Sequence, residues 1–442
     1  MSFKKRYLIQ GLVLALGTPG LAQAHDSADS EIPDRIIEIK AANSSERSRL
    51  ANLGFALEDI RSDRVFVWGH EADAAKIRAA GFEATSTELP SRLMAGKLAE
   101  PVKRYHTYET LTQALQQLEH DYPSLVSLSS MGRSVQNRDI PVMRISGVSL
   151  GQAEAQKTPV MFYMGCHHAR EHLSVEVPLM FAQYLLSEYG KNPDVTRLVN
   201  SREIFVAPMI NPDGHTYDFT GNARGRMWRK NRSANADGTF GVDLNRNYGY
   251  GWGTGGSSDD PRAETYKGTA PFSEPETQAV RDFIVTHPRM TSLLTFHTFS
   301  ELILYPWGGS KDKVGQNGKG TYLDGQTFST MAQAMAQWNN YTPEQASDLY
   351  IASGDTTDWA YGERGIIAFT FELTPRSMQE GGFYPGDKVV DPTFAENIKP
   401  MMYMLEYADK PSRVLSEKKP PSFLTTPASR GIPVADYRDT FR

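Results

Sequence analysis

The stretch that decides the reading is Pro159-Val160-Met161-Phe162-Tyr163-Met164-Gly165-Cys166-His167-His168-Ala169-Arg170-Glu171-His172. Its apolar beginning reads as a buried strand that closes into a turn at Gly165. Beyond the turn, His168-x-x-Glu171 offers an imidazole and a carboxylate three residues apart. If the segment turns helical, positions three apart share a face, so both heads reach one ion. A nitrogen and an oxygen donor at that spacing suit Zn2+, with a further histidine expected from elsewhere in the chain. The pair alone recurs by chance in solvated turns, so its weight rests on residues far downstream.

Two later strand ends supply that weight. The run Leu293-Leu294-Thr295-Phe296 ends at His297, the position where open α/β sheets place functional groups. With His168 and Glu171 it completes two histidines and a carboxylate, leaving a fourth coordination position for water. The run Ile366-Ile367-Ala368-Phe369-Thr370-Phe371 ends at Glu372. A carboxylate directly after an apolar strand is costly unless it faces a site or partner. Beside a water whose pKa zinc lowers from about 15.7 to about 7, it is a natural base. Asp243, in Gly241-Val242-Asp243-Leu244-Asn245-Arg246-Asn247, is a candidate acceptor for the outer nitrogen of a ligand imidazole. Arg170, Arg226, Arg229 and Arg246 stand near these elements and can grip a carboxylate or stabilise an oxyanion.

The chain has 442 residues, 40% hydrophobic and 22% charged, enough for one large domain and a smaller one. A net charge of −5 gives a nucleic-acid role no electrostatic support. Lys4-Lys5-Arg6, an apolar run over 8–16 and Ala22-Gln23-Ala24 have the form of a signal peptide over 1–24, so export is expected. That run is too short to span a membrane, and no other stretch approaches the length needed. Cys166 is the single cysteine, so no intrachain disulfide forms; it reads as a small buried hydrophobe rather than a nucleophile.

Residues 25–100 read as a small α+β unit, with strands at 35–40 and 64–68 and helices at 44–53 and 71–80. A polar, basic stretch within 90–104 looks like a proteolytic linker. Residues 101–408 alternate apolar runs at 125–130, 141–145, 159–164, 204–210, 293–296 and 366–371 with helical stretches at 108–122, 175–189, 274–287, 325–338 and 397–407. That alternation predicts an α/β domain with a mixed or parallel central sheet flanked by helices. Residues 409–442, rich in Pro, Ser and charge, read as a C-terminal tail dispensable for chemistry.

On these residues the chain resembles the funnelin, or M14, zinc carboxypeptidases over about residues 105 to 408. His168-Ala169-Arg170-Glu171 is similar to the family's first metal motif, and Phe296-His297-Thr298-Phe299-Ser300 to its third-ligand motif. The resemblance implies a mixed α/β fold, one Zn2+ per chain on His168, Glu171 and His297, and removal of C-terminal residues from peptides and proteins. It implies that Glu372 is the general base, that Arg229 polarises the scissile carbonyl, and that Asn245 and Arg246 bind the terminal carboxylate. Tyr350 would cover the bound chain end, Arg170 would assist at an adjacent subsite, and Asp355 and Thr357 would line the side-chain pocket. Within the family the motifs look most like those of bacterial carboxypeptidase T-like enzymes, which implies mixed basic and apolar specificity. The 25–100 unit resembles the family's propeptide, an intramolecular inhibitor removed on secretion. Phe299 departs from a tyrosine frequent in the animal enzymes, and the tail has no counterpart in the digestive ones. Two other readings compete: a metalloamidase of the same fold acting on cell-wall peptides, and a non-catalytic peptide-binding relic.

Overall fold

The computed structural model describes residues 33–88, 104–148, 157–220, 227–417 and 420–425. The 1–24 signal segment, Arg226, nearly all of the 90–104 linker and the end of the 409–442 tail lie outside them. Near the N-terminus, β1 (Arg35–Lys40), β2 (Asp59–Ile60), β3 (Arg64–Gly69) and β4 (Ala84–Glu88) pair antiparallel in the order β2-β3-β1-β4. Ile37, Ile39, Val65 and Val67 pack with Leu50, Ala74 and Ile77 of the helices Ser44–Asn52 and Glu71–Ala79. Side chains alternate across a strand, so Phe66, between the two valines, points out of the opposite face. There it meets Met227, Phe299, Met378 and Phe383 of the main domain. Two strands escaped the sequence reading. β2 is only two residues long, and β4, Ala-Thr-Ser-Thr-Glu, is half-exposed and polar, without apolar alternation.

The main sheet contains β5 (Val126–Arg133), β6 (Asp139–Ile145), β7 (Val160–Gly165), β8 (Glu203–Ala207), β9 (Met290–Thr298), β10 (Leu302–Tyr305), β11 (Thr342–Gln345) and β12 (Ile367–Leu373). Their order is β11-β10-β12-β9-β7-β8-β6-β5. The central four, β12, β9, β7 and β8, run parallel, while β10 and β6 run antiparallel to their inner neighbours. The expected mixed sheet is therefore present. β10 and β11 went unseen because the first is short and the second, Thr-Pro-Glu-Gln, is a polar edge strand in which proline is tolerated.

Both faces of the central strands are covered, which is why they read as unbroken apolar runs. Met161 and Tyr163 of β7 face the helices Tyr108–Asp121, Leu173–Glu188, Tyr322–Asn339 and Val390–Tyr407. Val160, Phe162 and Met164 face the helices Pro275–Thr286 and Thr356–Arg364. Helix Tyr108–Asp121 shows the local logic. Thr107 caps it by accepting from Thr110 N–H at 3.2 Å, and Leu111, Leu115 and Leu118 are the stripe it buries. After residue 408 the chain stays close: Val414 is buried, and Arg413 pairs with Glu406, Asp409 and Glu417.

Glu276, in the first turn of Pro275–Thr286, is fully buried; it accepts from Val135 N–H at 3.0 Å and Asn231 Nδ2 at 3.1 Å. Burial pushes its carboxyl up to about 7 against the hydrogen bonds from Val135 and Asn231, with a smaller push from the Glu274 charge. The folded chain thus keeps a proton that the unfolded chain releases above about pH 4.3. The associated stability is complete at low pH and is lost as pH rises through 7. Thermal unfolding between about pH 5 and 8 is expected to show a destabilisation of about 3 kcal/mol that is absent from Glu276→Gln. An unchanged pH slope in that variant contradicts the assignment.

Candidate active site

The carboxyl ends of parallel strands meet here: the chain runs from β7 to β8 on one side, then crosses back to β9 on the other side of β7. β7 stops at Gly165, where a Cβ would sit 2.1 Å from the Ser174 carbonyl oxygen, so the close approach requires glycine. Cys166 follows with φ 57°, fully buried, its N–H donating to Ser174 Oγ at 3.0 Å. The expected helical face for His168 and Glu171 is not what forms. Residues 167–170 make a turn, Glu171 N–H donating to His168 O at 3.3 Å, and the helix begins only at Leu173. The turn itself brings the heads together, with His168 Nδ1 2.7 Å from Glu171 Oε1.

His297, in register with Glu372 across β9 and β12, supplies the third donor. Its Nδ1 lies 3.2 Å from His168 Nδ1 and 3.0 Å from Glu171 Oε2. Tetrahedral zinc bonds of roughly 2.0–2.1 Å place donors about 3.3 Å apart, so these buried groups fit that ion in type and spacing. Burial would raise the Glu171 carboxyl, but the two imidazoles outweigh it and hold it well below the usual carboxylate range.

Asp243, fully buried, orients several of these groups. Its Oδ1 accepts from His168 Nε2 at 3.2 Å and Asn245 N–H at 3.0 Å, and its Oδ2 from Arg229 Nε at 3.0 Å. This bond to the outer nitrogen leaves Nδ1 as the inward atom of His168. Arg229 is anchored again where its carbonyl accepts from Ala169 N–H at 3.0 Å. Glu372 is part-buried on the cavity wall. Burial and then the Glu171 charge raise its carboxyl well above the ordinary value, against the opposing pull of His168 and Arg229.

A cavity of about 340 Å³ is lined by His168, Glu171, Arg229, Asn245, Arg246, Tyr350, Asp355, Thr357 and Glu372. Arg246 is buried, donates to Gly256 O, Asn245 O and the Tyr350 hydroxyl, and has no acidic partner among the described residues. Asp355 caps helix Thr356–Arg364 through Oδ1, which accepts from Thr357 N–H, Thr357 Oγ1 and Asp358 N–H. Its Oδ2 is buried without a hydrogen-bond partner. Asp358 accepts from Gly308 and Gly309 N–H at 2.9 and 2.8 Å, and burial followed by the Asp355 charge raises its carboxyl.

His297, Asp243 and Arg170 do not line this cavity. Arg170 borders a second one, of about 260 Å³, where it pairs with Glu58 and with Glu264 at 3.0 Å and lies 4.4 Å over the Phe383 ring. Glu58 escaped the sequence reading, since nothing local distinguishes it from a surface carboxylate. Leu57, Glu58 and Ile60 also close one wall of the first cavity.

Comparison with known proteins agrees with this geometry. The zinc carboxypeptidase family profile matches residues 111–399. A zinc carboxypeptidase of Saccharothrix mutabilis subsp. capreolus is 33% identical over 94% of this chain and 99% of its own length. Carboxypeptidase B of Bos taurus is 32% identical over 69% of this chain and 70% of its own. The crystal structure of carboxypeptidase A from Helicoverpa armigera superposes with a TM-score of 0.70 at 25% identity, covering 88% of this chain and all of that one.

Removing the carboxylate that orients His168 is expected to weaken zinc binding by about 10- to 100-fold in Asp243→Ala, measured by competition with a chelating dye. Wild-type affinity in that variant would remove Asp243 from the metal site.

Proposed function

We propose, from the premise that this chain belongs to the zinc carboxypeptidase family and is a zinc-dependent exopeptidase of peptide C-termini, that it is exported as a zymogen and accepts both basic and apolar C-terminal residues. The observation that carries the residue-level reading is Arg246: a buried guanidinium without an acidic partner among the described residues, on the same cavity wall as the metal donors. An incoming terminal carboxylate supplies the missing anion, held bidentately by Arg246 with help from Asn245 and Tyr350.

His168, Glu171 and His297 hold one Zn2+, which supplies Lewis acidity toward water and the scissile carbonyl. Glu372 takes a proton from the attacking water and passes it to the leaving amine, a role its place on the cavity wall with the metal donors allows. Arg229, fixed by Asp243, faces the developing oxyanion with a positive charge that needs no reorganisation. Asp355 Oδ2 offers a buried acceptor to a Lys or Arg side chain, while Leu302 and Leu304 on the same cavity wall suit an apolar one. Thr357 lines the pocket beside Asp355, and Arg170 serves an adjacent subsite.

In this reading residues 1–24 direct export, 25–100 inhibit, 101–408 catalyse and 409–442 form the tail. The inhibitory reading is supported by how the N-terminal unit sits. Ser48 Oγ accepts from Ile351 N–H at 2.9 Å, Asn52 Oδ1 from Gly256 N–H at 2.6 Å and Asp59 Oδ2 from Met378 N–H at 3.1 Å. Tyr350 packs on its core, and Glu58 occupies Arg170.

Glu372→Gln is expected to lose about 100- to 10,000-fold in kcat while retaining stoichiometric zinc; near-full activity removes Glu372 as the base. Protein cleaved within 90–104 should release Arg and Leu, but not Glu, from peptide ends in a chelator-sensitive manner. Release of Leu alone sinks the mixed specificity, and equal turnover by the uncleaved chain sinks the zymogen.

A further inference from the structure

His167 is a buried histidine next to the metal set that the set does not use. It is fully buried, between the strand end at Gly165 and His168, and its ring stacks on that of His297 at 5.6 Å and 13°. Its Nε2 lies 2.8 Å from the Tyr248 hydroxyl and 3.2 Å from Thr356 Oγ1, and its Nδ1 3.5 Å from Thr295 Oγ1. Thr356 in turn meets Asn245 twice: its N–H donates to Asn245 Oδ1 at 3.0 Å and its hydroxyl donates to the same oxygen at 2.9 Å.

The bond from the Thr356 hydroxyl to Asn245 constrains the rest of the chain of contacts. A threonine hydroxyl has one hydrogen, and Thr356 spends it on Asn245 Oδ1. With that hydrogen spent, Thr356 Oγ1 meets His167 only as an acceptor, which takes the Nε2–H tautomer, the same hydrogen also facing the Tyr248 hydroxyl at 2.8 Å. With Oδ1 of Asn245 saturated by two donors, its side-chain nitrogen is what remains to offer the cavity that Asn245 lines. Two N–H donors beside the Arg246 guanidinium suit an anion; the flipped amide would present a carbonyl and repel it. Thr356 is also the first residue of the helix whose N-cap is Asp355, so the same bonds seat the turn carrying Asp355 and Thr357.

We infer that His167 is a positioning residue for chain-end recognition, acting through Thr356 to hold the amide of Asn245 with its donors facing the substrate carboxylate. The inference rests on the reading of Asn245 as a carboxylate-binding group. It assigns His167 to substrate binding rather than to the metal or the proton transfers, although it adjoins His168 in sequence and stacks on His297.

The test compares wild type with His167→Phe, which keeps the stacked ring and loses both nitrogens, and with Thr356→Val, which loses only the hydroxyl. The zinc-loaded enzyme, matured from the full chain, is titrated with 3-phenylpropanoate and 3-phenylpropanamide by calorimetry, and KM and kcat are measured on free-acid peptides. Each variant is expected to weaken binding of the acid and raise KM about tenfold, with zinc content unchanged and kcat within about threefold, the loss of one positioned hydrogen bond. The double variant should weaken binding no more than either single one, because both break one chain. Wild-type affinity in Thr356→Val, or additive effects in the double variant, overturns the inference. Zinc loss or a kcat defect without a KM change in His167→Phe overturns it in favour of a role at the metal. If His167→Phe does not fold, Thr356→Val decides alone. Equal binding of acid and amide by wild type would instead defeat the carboxylate reading, and this inference with it.

Discussion

The Asp243 carboxylate is the constraint on which the site depends. It is fully buried, yet both oxygens are used: one by His168 Nε2 and Asn245 N–H, the other by the Arg229 guanidinium. Burial alone would raise its pKa, but Arg229 and His168 reverse that and hold it well below the carboxylate range. A buried anion is tolerated only when its partners are charged or well aligned, and here the partners are the working groups themselves. One carboxylate therefore sets the tautomer of His168, the direction of Arg229 and the start of the loop bearing Asn245 and Arg246. Its loss would leave Arg229 as an uncompensated charge as well as loosening His168, so the metal and carbonyl-polarising roles proposed for them are not separable.

The rest of the site is arranged by the sheet. In parallel strands all carboxyl ends emerge on one edge, and β7, β9 and β12 deliver His168, His297 and Glu372 there from three distant parts of the chain. Both faces of these strands are packed by helices, which holds the three ends rigid. The groups proposed to face the substrate sit instead on connections: Asn245 and Arg246 in a short helical turn, Asp355 at a helix N-cap. Gly354, at φ 76°, lets that cap approach the Arg246 carbonyl, since a Cβ would lie 2.4 Å from the oxygen. A rigid edge for the chemistry and loops for recognition is the division expected when specificity varies on a common scaffold.

The N-terminal unit closes this edge with few contacts of high specificity. Phe66 enters an apolar cluster, polar side chains accept from part-buried loop N–H groups, and Glu58 pairs with a buried Arg170. The pairing of Glu58 with Arg170 leaves Arg246 uncommitted, and the cavity behind it keeps its volume of about 340 Å³. The same side chains line the cavity beneath the covering unit and the site it covers.

The sequence by itself determined the strand ends and the donor types. An apolar run closing on Gly165, and two others ending in His297 and Glu372, are legible because polar groups at buried strand ends are costly without a purpose. The central strands and long helices were readable for the same reason: burial imposes periodicity, and periodicity survives in one dimension. Tertiary structure decided what leaves no such trace. β4 and β11 are polar edge strands and β10 is only four residues long, and their pairing comes from backbone groups that every residue carries. The turn at 167–170, in place of a helical face, arises from the close approach of Gly165 to Ser174. Glu58 over Arg170, and His167 bound to Tyr248 and Thr356, join residues far apart in the chain. Direction and distance between such groups are properties of the packed fold, and spacing along the chain does not encode them.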